Sequence, residues 1–149
     1  MLYEDFSVGF QFETARRQLS LEEIVAFGQQ WDPQPFHIDK EAAQHSSFGG
    51  IIASGFHTLM VAFRLTIDTG LFNHCSMGSP GMDKVRWSLP VRPNDSLWVK
   101  AEVIAARLSK SKPDRGLVEI RYDVFNQYDQ QVASYTPTQI FRRRHLTTI

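Results

Sequence analysis

A carboxylate and an imidazole lie close together in the segment WDPQPFHID, residues 31–39. Asp32 and His37 are separated by Pro33 and Pro35, whose rings fix their own backbone angles and favour extended geometry in the preceding residues. A stiff loop of this kind holds the acid and the imidazole at a set separation. General acid/base catalysis needs that separation, because both groups must reach the same proton or the same water.

The same two side chains also allow a structural role. Asp-Pro pairs are common in turns, so Asp32 can cap a turn, and His37 can be a hydrogen-bonded, partly buried polar group. Residue types alone favour this structural role over catalysis.

The segment WDPQPFHID and the later GGIIASGFHTL, residues 49–59, together resemble the MaoC-type dehydratases and R-specific enoyl-CoA hydratases. The family pattern is approximately Asp-x-Asn-Pro-x-His-x-Asp, then Ala or Ser, an apolar pair, and a Gly at the start of a central helix. WSLPVRPNDSLWVKAEV, residues 87–103, is similar to a strand-turn-strand unit of the family, so the resemblance covers nearly the whole chain. The matching residues are Asp32, Pro35, His37, Asp39, Ala42 or Ala43, Ile51, Ile52 and Gly55.

This resemblance implies an α+β hot-dog fold, in which an antiparallel sheet wraps round a long central helix. It also implies that Asp32 and His37 are the catalytic pair and that the N–H of Gly55 faces the thioester oxygen of the substrate. An N–H in the first turn of a helix has no partner inside the helix and lies at the positive end of the helix dipole, so it suits an oxyanion. Glycine also permits close approach of the thioester.

Two positions depart from the family pattern. The Asn of the motif is Gln34 here, and the Gly that usually precedes the acid is Trp31. We expect the longer amide of Gln34 to orient the segment and Trp31 to narrow the acyl pocket. Together with Ser54 and Phe56, which flank Gly55, these are the predicted substrate-binding residues. Ser54 is also expected to cap the central helix.

The reaction implied by the resemblance is reversible addition of water to a trans-2-enoyl thioester, giving an (R)-3-hydroxyacyl thioester. Asp32 is the expected base, His37 relays the proton to C2, and the Gly55 N–H stabilises the enolate. Coenzyme A is the handle of the substrate, with an acyl carrier protein as the alternative carrier, and neither a metal nor a redox cofactor is required. We expect a homodimer, because subunits of this family join their sheets edge to edge.

Other functions stay open on the sequence. A hot-dog thioesterase would use an acid to activate water against the carbonyl, and a non-catalytic module would bind acyl thioesters with the same fold. His37, His45 and His57 raise the question of a metal site, but their spacing matches no recognised ligand pattern. For His57 we therefore expect a hydrogen-bonded structural role.

Composition limits the functions further. The 149 residues fit one domain, 1–149, and 16 basic side chains balance 16 acidic ones, which gives no attraction to nucleic acid or an anionic membrane. No apolar run is long enough to span a bilayer, and the acidic start of the chain does not resemble a signal peptide. The single Cys75 excludes an intrachain disulfide and suits the cytosol.

The elements that must position these residues can be predicted from local signals. Ser20 followed by Glu23 is a capping box, which predicts a helix over 21–31 that ends before Pro33. Asp39 is expected to cap a short helix over 40–45. The segment 55–69 is apolar on nearly every face, which predicts a helix enclosed by other structure.

Five segments have the character of strands, and Pro137 inside the last of them predicts a bulge or a sheet edge. One helix-rich region between a first strand and a later meander of strands is typical of an α+β fold. The predicted strands cover residues 10–19, 84–92, 96–108, 117–128 and 131–144.

Overall fold

A curved antiparallel sheet and a central helix dominate the computed structural model, which describes residues 1–144. A short 3-10 helix covers Tyr3–Asp5. The α-helices are α1 (Leu21–Trp31), α2 (Pro35–Ile38), α3 (Lys40–Gln44) and α4 (Gly55–Asp68). The strands are β1 (Gln11–Glu13), β2 (Arg17–Gln18), β3 (Gly81–Trp87), β4 (Ser96–Leu108), β5 (Arg115–Phe125) and β6 (Gln131–Arg142). Within residues 1–144, no helix combines the length and the apolar character needed to cross a membrane.

The strands lie in the order β1-β4-β5-β6-β3, and β2 also pairs with β4. Alternate residues of β4 and β5 are buried, as expected for strands with one face on a core. The inner face of α4 contributes Leu59, Ala62 and Leu65 to the same core. This arrangement confirms the predicted α+β hot-dog fold.

Helix α1 and the short helix after it follow the local signals. The Ser20 hydroxyl accepts a hydrogen bond from Glu23 N at 3.2 Å, and the Glu23 carboxylate accepts one from Ser20 N at 3.1 Å. Helix α1 has the predicted bounds, and Asp39 caps α3 by accepting hydrogen bonds from the N–H groups of Glu41 and Ala42. The segment with two prolines is not wholly a loop, because Pro35 begins the one-turn helix α2, where its missing N–H is not needed.

The predicted strands needed several corrections, among them that β5 covers Arg115–Phe125 rather than 117–128 and that β6 ends at Arg142 rather than at 144. The strand expected over 10–19 is divided into β1 and β2. Strand β3 begins earlier than expected and ends at Trp87, because the chain then bends towards Pro90, which cannot donate to a strand ladder. Pro137 does not mark an edge: β6 lies between β5 and β3, and the bulge falls on β3, where Lys84 has φ 56°.

Helix α4 begins at Gly55 as predicted, but it is not enclosed within the single chain. Four apolar side chains at helical spacing form an exposed stripe along one side, hereafter the α4 stripe. The stripe consists of Phe56, Met60, Phe63 and Ile67, with exposures of 64%, 53%, 50% and 36%. The expectation of a fully enclosed helix is therefore wrong for an isolated chain.

Close contact between α1 and α2 depends on Gly28. A Cβ at this position would lie 2.9 Å from Ile38 Cγ2 and 3.0 Å from His37 Cβ. Neighbouring backbone and side chains would have to shift to admit it, because protein interiors are close-packed. Gly28 therefore helps to place His37.

We expect Gly28→Ala to destabilise the protein. In an unobstructed helix interior this change usually stabilises by roughly 0.5–1 kcal/mol, but overpacking typically costs about 1–3 kcal/mol. The free energy of unfolding, measured by urea titration, should fall by on the order of 1 kcal/mol. The exposed neighbour Gln29 provides the control, since Gln29→Ala should change stability by less than about 0.5 kcal/mol. Equal or greater stability of Gly28→Ala would contradict the proposed contact.

Candidate active site

Asp32 and His37 contact each other at the junction between α1 and α2. Asp32 Oδ2 lies 3.2 Å from His37 Nε2, and the two side chains are 18% and 5% exposed. Asp32 is the C-terminal cap of α1, and His37 lies in the single turn of α2. A reactant can therefore reach the carboxylate, while the imidazole is shielded from bulk water.

Two further side chains hold the Asp32 carboxylate. Ser54 Oγ donates to Oδ2 at 2.7 Å, and Gln34 Nε2 donates to Oδ1 at 2.7 Å. Burial raises the pKa of Asp32, but the hydrogen bonds from Gln34 and Ser54 and the adjacent His37 outweigh it, so the pKa lies below its usual value. Asp32 is therefore ionised at neutral pH, as a general base must be.

A backbone contact fixes the orientation of the imidazole. His37 Nδ1 lies 2.7 Å from the carbonyl oxygen of Ile52. Since a carbonyl only accepts hydrogen bonds, Nδ1 carries a proton and Nε2 is the nitrogen that faces Asp32. A hydrogen bond from Nε2 to the ionised carboxylate requires a second proton on Nε2. The pair then combines a proton acceptor with an N–H donor.

The start of helix α4 adjoins this pair. Within residues 1–144 the N–H of Gly55 has no hydrogen-bond acceptor. Ser54 is the N-cap residue, as predicted, but its oxygen accepts no capping hydrogen bond from the first turn of α4, and its hydroxyl proton is donated to Asp32. The positive end of the α4 dipole is therefore free to meet an oxyanion.

A cavity of about 480 Å³ lies between the pair and the start of α4. An apolar cleft with a few converging polar groups is typical of a small-molecule site. The polar groups of its lining are Asp32, Gln34, His37, Thr58 and Ser88. Gly55 and a set of apolar residues complete the lining. The apolar residues are Phe48, Ile52, Ala53, Phe56, Trp87, Leu89, Pro90 and Val91.

Most of the predicted site residues meet at this cavity, but two do not. Trp31 is 68% exposed and does not line the cavity of this chain, where Trp87 supplies the indole instead. Ser54 is fully buried behind Asp32 and does not line the cavity either. The sequence assigned Trp87 to a strand by its alternation, and no local signal indicated that this strand ends beside Gly55.

His57 is buried away from the cavity, stacked on Phe27 with 4.6 Å between ring centroids. Burial lowers the pKa of His57, so the imidazole is neutral at pH 7. Its Nδ1 has no hydrogen-bond partner among the described residues, so the expected hydrogen-bonded role was wrong in this respect. No group of three or more His, Cys, Asp or Glu side chains within residues 1–144 is arranged to hold a metal ion.

Comparisons with known proteins agree on the fold and identify the family. A crystal structure of the MaoC-like dehydratase from Rhodospirillum rubrum is 39% identical, with a TM-score of 0.90 over 98% of this chain and 99% of that chain. The uncharacterized protein YdeM of Bacillus subtilis (strain 168) is 30% identical over 132 residues, which are 89% of this chain and 92% of that protein. R-hydratase PhaJ1 from Pseudomonas aeruginosa shares the fold at 23% identity, with a TM-score of 0.68 over 97% and 86% of the two chains. The family model for the MaoC like domain matches residues 5–124, and the chain therefore belongs to the MaoC-like dehydratase family.

Proposed function

We propose that this protein adds water reversibly to a trans-2-enoyl-CoA, giving an (R)-3-hydroxyacyl-CoA. The observation that carries the proposal is the Asp32–His37 pair, an ionised carboxylate 3.2 Å from an imidazole nitrogen beside an apolar cavity. Membership of the MaoC-like dehydratase family supports the reaction class. Coenzyme A serves as the handle of the substrate, an acyl carrier protein is the alternative carrier, and the proposed steps use no metal or redox cofactor.

The two side chains divide the proton transfers. Asp32 and His37 hold one water, and Asp32 accepts its proton as the oxygen attacks C3. The Nε2–H of His37 donates a proton to C2, so one O–H bond breaks, a C3–O and a C2–H bond form, and the double bond becomes single. The proton on Asp32 then returns to His37 across the 3.2 Å contact, which restores the pair.

Negative charge develops on the thioester oxygen during the attack. In the proposed scheme the N–H of Gly55, at the start of α4, stabilises this charge, and its lack of an acceptor within the described chain supports that role. A single donor of this kind typically contributes on the order of 100- to 1,000-fold in rate. In this scheme, the helix start polarises the carbonyl while the acid and imidazole act at C3 and C2.

The purified protein should hydrate crotonyl-CoA, measured as loss of the absorbance of the conjugated enoyl thioester. The product should be oxidised by an R-specific 3-hydroxyacyl-CoA dehydrogenase, and rapid oxidation by an S-specific one would contradict the stereochemistry. Release of free thiol would identify a thioesterase instead. Absence of both reactions with short, long and branched enoyl-CoAs would indicate a binding module and contradict the proposed activity.

Asp32→Asn and His37→Ala should each lower kcat for crotonyl-CoA by on the order of 100- to 10,000-fold, because each removes one half of the proton transfer. The double variant should be hardly slower than the slower single variant, since residues acting on one water do not contribute additively. KM should change little, because the coenzyme A handle dominates binding.

His57→Asn is the control for these variants, because His57 lies away from the cavity. It should retain most of the parent kcat, with circular dichroism confirming that every variant is folded. Near-parental turnover of Asp32→Asn would show that the base has been misassigned, and loss of turnover in His57→Asn alone would identify a different histidine.

We further propose that two copies pair through the α4 stripe and the open edge of β3. The stripe exposes four apolar side chains, and Phe56 at its start contacts Trp87 at the end of β3, with ring centroids 5.9 Å apart. Exposed apolar patches and open strand edges usually mark interaction surfaces. A second copy covers both, because a two-fold interface uses the same surface on each subunit.

Light scattering at micromolar concentration should give twice the 17.1 kDa chain mass for the parent. Phe63→Glu places a charge in the middle of the α4 stripe and should shift the mass towards that of the monomer, because burying an unpaired charge is costly. Tyr128→Glu is the matched control, since Tyr128 is 75% exposed but lies in the turn between β5 and β6. A monomeric parent, a Phe63→Glu variant that stays dimeric, or a Tyr128→Glu variant that becomes monomeric would contradict this interface.

A further inference from the structure

Trp87 covers the start of helix α4. A Cβ on Gly55 would lie 2.5 Å from both Cε2 and Nε1 of Trp87, and 3.0 Å from Cδ1. The five-membered ring of the indole therefore lies directly against the glycine. Any side chain at position 55 would require the indole to move, so the need for glycine arises from Trp87 as well as from the approach of a substrate.

The indole also forms part of the cavity wall. Trp87 is the last residue of β3 and is 47% exposed, so its position is not fixed by a surrounding core. It meets Phe56 edge to face and lines the same cavity as Asp32 and His37. The wall next to the Gly55 N–H is thus bulky and apolar.

The position of Trp87 limits the space available to a substituent on C2 of an enoyl thioester. In the function proposed above, the thioester oxygen accepts a hydrogen bond from Gly55, with a separation of about 2.9 Å. C2 is bonded to the carbonyl carbon and must lie near the same glycine. A substituent on C2 therefore competes for space with the indole, whereas the distal end of a straight acyl chain does not.

We propose that Trp87 determines which substituent on C2 the site accepts, and that the preferred substrates are enoyl thioesters with hydrogen at C2. This inference rests on the proposed function and specifies its substrate class. One additional carbon in a tight apolar pocket is worth roughly 10- to 200-fold in specificity. A methyl group on C2 should therefore lower kcat/KM by a factor in this range.

The test compares crotonyl-CoA with 2-methylcrotonyl-CoA, which differ by one methyl on C2. In Trp87→Val, the kcat/KM for the methylated substrate relative to crotonyl-CoA should rise at least about 10-fold over the parent ratio, with Trp87→Phe between the two. Intrinsic differences in substrate reactivity cancel when each variant ratio is divided by the parent ratio. An unchanged or lower ratio in both Trp87 variants would overturn the inference.

The matched control is Trp98→Val. Trp98 lies on β4 on the face opposite the buried residues, stacks on Phe125 and does not line the cavity. Its substitution should leave the substrate ratio unchanged. Light scattering and circular dichroism are needed for each variant because Trp87 ends the edge strand, and Trp87→Phe decides the result if Trp87→Val fails to fold.

A binding measurement separates this inference from the proposed reaction. Calorimetric titration with butyryl-CoA and 2-methylbutyryl-CoA should show the relative affinity for the branched analogue rising at least about 10-fold in Trp87→Val. If that shift occurs without any hydration, the proposed reaction fails and the role of Trp87 stands. If crotonyl-CoA is hydrated but neither ratio moves, the role of Trp87 fails and the reaction stands. Failure of both analogues to bind would overturn the inference.

Discussion

The hydrogen bond between His37 Nδ1 and the carbonyl oxygen of Ile52 is the contact on which the arrangement of the site depends. It directs Nε2 towards Asp32 and determines which nitrogen can exchange a proton with a reactant. It also joins α2 to the segment that leads into α4. Two backbone hydrogen bonds extend this connection: Ile52 N donates to Phe36 O, and Ala53 N donates to Val91 O. The proposed acid, base and oxyanion donor are therefore held by one continuous set of contacts.

The hydroxyl of Ser54 contacts the proposed catalytic pair and does not cap helix α4. A serine at the N-cap position usually stabilises a helix by roughly 1 kcal/mol through a hydrogen bond to a first-turn N–H. Here Ser54 donates to Asp32, and its side chain makes no such bond. Together with the hydrogen bond from Gln34, the one from Ser54 holds the pKa of Asp32 below its usual value, while the N–H of Gly55 has no acceptor among the described residues. Both observations suit a site where a base and an oxyanion donor act on one substrate, as in the proposed function.

Local signals in the sequence predicted local structure well. The capping box predicted the start of α1 and Pro33 its end, and the run of strand-type residues over 96–108 predicted the bounds of β4. The family motif identified Asp32 and His37, which the fold brings together. Contacts between distant segments could not be predicted in this way: Ser54 reaches Asp32 from 22 residues away, and Trp87 reaches Gly55 from another element. Neither contact follows from periodicity or residue type, because both join segments that are distant in the sequence and meet only in the folded chain.

Helix α4 has three physical roles, which the apolar sequence pattern could not distinguish. Its inner face packs in the core, its first residue lies beside the proposed catalytic pair, and its outer stripe is apolar and exposed. Phe56 belongs to both the stripe and the cavity lining, and it contacts the half-exposed indole of Trp87. A second copy bound to the α4 stripe would bury Phe56 and restrict the movement of the indole. Burial of apolar surface contributes roughly 25 cal/mol per Å². The free energy of pairing would therefore also order this wall of the cavity. Under the proposals above, pairing and substrate selection would be coupled through two adjacent aromatic side chains, and the exposed apolar surface of α4 would be covered by the second copy.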